Sequence, residues 1–68
     1  MALPSEVLES IATDIADAAN SLVELKDVVG DMRLSGMDAS RQEEEVARLS
    51  DRLRSYKVFY ERQKAKAI

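Results

Sequence analysis

Apolar side chains in the first half of the chain fall at Leu8, Ile11, Ile15, Ala18, Leu22, Leu25, Val29 and Met32, stepping alternately by three and four residues. After a gap, Val46, Leu49, Leu53, Tyr56, Tyr60, Gln63 and Ala67 repeat the rhythm, with Gln63 the one polar member. Such a stripe stays on one side of a 3.6-residue helix, whereas a strand would alternate with a period of two. Sustained over several turns, it is the a/d ladder of a coiled-coil seam. The expected core seam is therefore Leu8, Ile11, Ile15, Leu22, Leu25, Val29 and Met32 on one helix. Val46, Leu49, Leu53, Tyr56 and Tyr60 supply it on the other.

The ladders are separated by Arg33-Leu34-Ser35-Gly36-Met37-Asp38, where a glycine can end one helix and an aspartate can cap the next. Gly30 is a weaker breaker, since a glycine inside a helix costs only about 1 kcal/mol relative to alanine. The pattern predicts an all-α, two-helix antiparallel hairpin spanning 1–68 as a single unit. Its parts are a helix over 5–34, a turn over 35–38 and a helix over 39–66. Ser5 is placed to cap the first helix, just after Pro4. Ser40-Arg41-Gln42-Glu43 has capping-box spacing for the second, with Asp38 as a rival. Each helix should be on the order of 40 Å long.

Charge sorts along the chain in a way that selects the antiparallel arrangement. Residues 1–35 carry seven acids against Lys26 and Arg33, and residues 46–68 carry seven bases against Asp51 and Glu61. Folding back at Gly36 lays the basic end beside the acidic beginning and brings Glu43–Glu45 near Lys26 and Arg33. Each exposed pair is worth only about 0.2–1 kcal/mol. Together they penalise parallel pairing, which would set like charges side by side.

A chain of 68 residues buries a smaller fraction of its surface than a typical domain. With no Cys and no His, it lacks disulfides and the commonest soft metal ligands, so association is the expected source of extra stability. The apolar residues flanking the ladders point the same way: Val7, Ala12, Ala19, Val23 and Val28 on the first helix, Val58 and Phe59 on the second, with Leu3 and Ile68 at the ends. They widen the stripe beyond a/d, as in a helix with more than one neighbour. These flanking residues are the candidate partner-binding set, and the hairpin is expected to complete a bundle by pairing with a protein partner or with itself. The alternative is plain wrapping of the seam by its own flanks.

Candidate chemistry is sparse. No Gly-rich phosphate loop, nucleophile elbow, metal-binding helix motif or Ca²⁺-loop spacing occurs, and without His a general acid or base would need a shifted carboxylate or lysine. Neither catalysis nor a cofactor is expected. No apolar run is long enough to span a bilayer, and no basic segment leads into an apolar block near the start, so a cytoplasmic location is expected. The net charge of −3 argues against general nucleic-acid binding. Tyr56, Phe59 and Tyr60 do alternate with Arg52, Arg54, Lys57 and Arg62, a mixture that stacks on single strands in some proteins.

The stretch Arg52–Gln63 resembles part of the second helix of type III secretion needle subunits, in which a basic residue and Leu precede a Tyr, followed by an aliphatic–aromatic pair and a Gln. The matching positions are Arg52, Leu53, Tyr56, Val58, Phe59 and Gln63. Ser35-Gly36-Met37-Asp38 stands where that family carries a Pro/Asn-bearing turn. In size and architecture the chain is similar to the small helical-hairpin co-chaperones that guard needle subunits. That resemblance implies docking of the flanking apolar face on a larger helical-repeat chaperone. The leading expectation is a non-enzymatic protein–protein interaction module, such as a secretion co-chaperone or small assembly subunit. Two others stand beside it: a homodimeric four-helix bundle binding RNA or DNA through the basic face of helix 2, and a structural component of a phage or secretion assembly.

Overall fold

In a computed structural model, which describes residues 3–66, the chain forms α1 (Ser5–Leu34) and α2 (Ser40–Lys66). The two pack side by side, antiparallel, in a rod of 51 × 15 × 12 Å. No strand occurs among the described residues. The first helix has the expected bounds. The second begins one residue later, because the Ala39 carbonyl accepts the Glu43 amide at 2.9 Å and Ala39 thereby stands just outside the helix. Ala67 and Ile68, placed above in the ladder and its flank, lie outside the described residues.

The start of α1 differs from the expected cap, and the start of α2 takes Asp38, the rival of the two expected. Pro4, not Ser5, occupies the position before α1, and its carbonyl accepts the amides of Val7 at 3.0 Å and Leu8 at 3.1 Å with no side-chain cap. At α2 the capping box does not form. The Asp38 Oδ1 instead accepts the Ser40 amide at 3.0 Å and the Ser40 hydroxyl at 2.6 Å, a local turn that answers one of the helix's unpaired donors. Glu43, freed from the box, accepts the Arg33 Nε–H at 2.8 Å across the turn.

The turn itself is built by Gly36, whose φ of +79° lies in the left-handed region that side-chain-bearing residues avoid. That conformation lets the Met37 amide reach the Met32 carbonyl at 2.9 Å and the Gly36 amide reach the Arg33 carbonyl at 3.0 Å. The pair of bonds is a Schellman motif, which satisfies the last carbonyls of α1. Gly30, by contrast, lies within continuous helix.

The seam draws mostly on α1. Leu8, Ile11, Leu22 and Val29 are buried, and Ile15, Leu25 and Met32 are half-buried. From α2, Val46, Leu53 and Tyr60 are half-buried and nothing is fully buried; Ala39, in the turn, is the most enclosed side chain among the described residues at 4% exposure. Two expected seam members fall at its rim: Leu49 and Tyr56 remain 37% and 36% exposed. With only one neighbouring helix, one row of α2 faces the seam fully and the adjoining row lies tangential to it. Ala18, beside Tyr56, offers a single methyl and cannot cover a ring.

Candidate functional site

Of the seven candidate partner-binding residues, Val7, Val23, Val28, Val58 and Phe59 are exposed. Ala12 and Ala19 are half-buried. They stand four residues after Leu8 and Ile15, so they form a third row of the seam and not a free flank. The exposed five do not form one patch. Helical spacing puts Val58 toward the outward side of its helix, Val23 on the flank opposite Ala18, and Val28 in the same row as Val7, twenty-one residues after it. Val7 shares the Ala18 flank, eleven residues before it.

The Ala18 flank carries apolar surface shaped into a groove. Ala18, Leu53, Tyr56 and Phe59, with Arg52 and Ser55 at the edge, line a shallow groove of about 520 Å³. The Tyr56 and Phe59 rings, one helical turn apart, lie near-parallel with centroids 6.5 Å from each other and form one wall. The groove exists because a small residue interrupts a ladder of large ones: Ala18 is exposed where Ile11, Leu25 and Met32 in the same row are covered. Phe59 is left 43% exposed above it. Leu49 continues the same flank of α2, seven residues before Tyr56. Ala18 and the rim positions of Leu49 and Tyr56 were not assigned to a binding face from the sequence. The signal was present as the one alanine in a row otherwise filled by larger side chains.

Electrostatics on the rod are segregated. Among the described residues the one ion pair is Arg33–Glu43, next to the turn and exposed on both sides. The remaining acids of α1 do not reach the bases of α2. Glu6, Asp17 and Glu24 lie in rows on the outward side of α1, away from the seam. At the far end the Lys64 ammonium sits 6.0 Å above the Tyr60 ring. Asp38 ionises more readily than an ordinary aspartate, chiefly because the Ser40 hydroxyl, and then the Ser40 amide, donate to its carboxylate.

Among the described residues, no group of three acidic, His or Cys side chains converges as a metal would require, and no helix is long and apolar enough to cross a membrane. The arrangement offers a shaped apolar groove with charged margins, which is chemistry for docking another helix. Compared with protein-family models, with curated proteins and with solved structures, the chain finds no match in any of the three.

Proposed function

We propose that this hairpin is a non-enzymatic interaction module whose work is to present helix surface to another protein. One observation carries the reading: a folded hairpin still leaves Tyr56 and Phe59 exposed in the lining of a groove that they share with Ala18 and Leu53. Soluble monomers seldom leave contiguous apolar surface of this kind uncovered, and such surface marks docking sites. Aromatic side chains next to arginine, as in Tyr56, Phe59 and Arg52, are the types that dominate binding energy at protein interfaces. A role as a secretion co-chaperone or as a small assembly subunit is consistent with the rod shape and with the resemblance of Arg52–Gln63 to needle-subunit helices.

The test is affinity capture from the native host with the wild-type chain and with Phe59→Asp, after circular dichroism establishes equal helicity. A protein retained by the wild type and lost from the variant supports the proposal. Equal retention, or none by either chain, removes this surface as the docking face.

A further inference from the structure

We propose that the occupant of the Ala18–Tyr56–Phe59 groove is a second copy of this chain, in a four-helix bundle where α1 of each copy lies along α2 of the other. The inference rests on the interaction-module reading and names its partner.

Charge complementarity selects this occupant. On the groove side of α1, Asp14 lies four residues before Ala18, and Asp17 and Glu24 lie in the next row outward. The two bases of α1, Lys26 and Arg33, are on the opposite flank, where they line a separate groove with Glu43 and Val46. On α2, Arg52 and Lys66 stand seven residues to either side of Phe59 and so share its flank. One face of the rod is thus acidic along α1 and mostly basic along α2, where Glu45, seven residues before Arg52, is the one acid of the Phe59 flank, and none of these charges is paired within the chain among the described residues. A two-fold axis running along the rod sets the acidic half of each copy against the basic half of the other. An axis across the rod would set α1 on α1, acid against acid, and is excluded by repulsion.

The same axis fixes the register. Because it preserves height along the rod, residues level within one hairpin are level between copies. Arg33 faces Glu43 and Ala18 shares its groove with Tyr56. Glu24 of one copy therefore comes level with Arg52 of the other, Asp14 with Arg62, and the Tyr56–Phe59 wall with the opposing Ala18. Both turns emerge at the same end. The area is of the right size as well. A folded monomer of 7.6 kDa typically exposes about 4,300 Å². The hairpin exposes 5325 Å². The excess, on the order of 1,000 Å², is close to the ~800 Å² per partner that a stable interface covers.

Sedimentation equilibrium and light scattering on the full chain should give twice the 7.6 kDa mass, with dissociation promoted by salt. Ala18→Arg fills the groove at a position already exposed in the hairpin and should weaken the dimer at least ~100-fold with helicity kept, while Val58→Arg on the outward side should leave it intact. The decisive measurement mixes two variants. Glu24→Arg alone and Arg52→Glu alone should each weaken self-association about 10-fold, and an equimolar mixture should regain it, because each repulsive contact then becomes an attractive one between copies. Spin labels on Ser35→Cys should report one distance far shorter than the 51 Å rod. A monomer at all concentrations, a dimer indifferent to Ala18→Arg, a mixture no tighter than its parts, or labels separated by the rod's length overturns the proposal. A monomer that still loses a foreign partner on Phe59→Asp overturns the dimer alone and leaves the interaction-module reading standing.

Discussion

At the turn, three separate devices hold the chain: the Schellman bonds around Gly36, the Asp38 carboxylate on Ser40, and the Arg33–Glu43 pair. At the open end none of these exists among the described residues. Pro4 supplies only its carbonyl, Leu8 and Ile11 pack against the end of α2, and Val7 and Phe59 stay in solvent. The contrast teaches that local hydrogen bonding fixes one end of this rod, while the other depends on packing that a lone hairpin leaves incomplete. It also explains why the exposed groove matters, since covering it reinforces the half that local chemistry does not.

The strongest way to break this comparison is to make the same cut at both places. Leu22 and Leu8 are equally buried, at 8% and 9% exposure. Leu22→Ala should cost about 3 kcal/mol in urea unfolding, and Leu8→Ala less than half as much, because the open end relaxes into its cavity by fraying. Equal losses would mean that the two ends are held alike.

Next in size are the two glycines. Gly36→Ala forces a side chain into the left-handed region and should destabilise by about 1 kcal/mol. Gly30→Ala should do the reverse, raising stability by up to about 1 kcal/mol, since a Cβ there meets nothing within 4 Å and the helix gains a better former. Thermal melts of the two variants should move in opposite directions.

Asp38 sharpens the comparison through pH. Folding lowers its ionisation below the ordinary 3.8, so its contribution is complete above that value and is lost as pH falls through the lower folded one. The stability difference between the wild type and Asp38→Asn should accordingly shrink as the solution is acidified below 3.8. Urea midpoints measured across that range check it; a difference that widens on acidification contradicts the cap. Smallest of all is the exposed Arg33–Glu43 pair. Glu43→Gln should cost about 0.5 kcal/mol at low salt and nothing measurable at 1 M NaCl.

Helices and turn were legible in the sequence because their causes are local: the three–four spacing of Leu8 to Met32, a glycine after the last turn, and an aspartate before the next helix. The cap of α1 was missed by one residue, since Pro4 holds that position through its carbonyl alone, while Asp38, one of the two candidates for α2, does bond the Ser40 amide. The lateral detail of the surface was harder to read. Periodicity says which rows are apolar, but whether Tyr56 is covered depends on the size of the residue opposite it, and that residue is Ala18. Likewise, the charge sorting along the chain announced antiparallel pairing. The absence of contacts such as Glu24 to Arg52 within one hairpin required knowing on which side of each helix the charges stand.

The bond from Arg33 to Glu43 joins residues only ten apart in sequence. Closing so small a loop is entropically cheap, whereas bringing Ala18 beside Tyr56 from an open coil means closing one several times longer. The hairpin should therefore nucleate beside Gly36 and zip outward, each new layer adding contacts at little further loop cost. Unzipping runs the opposite way, so amide exchange should be fastest in the first turns of α1 and the last turns of α2.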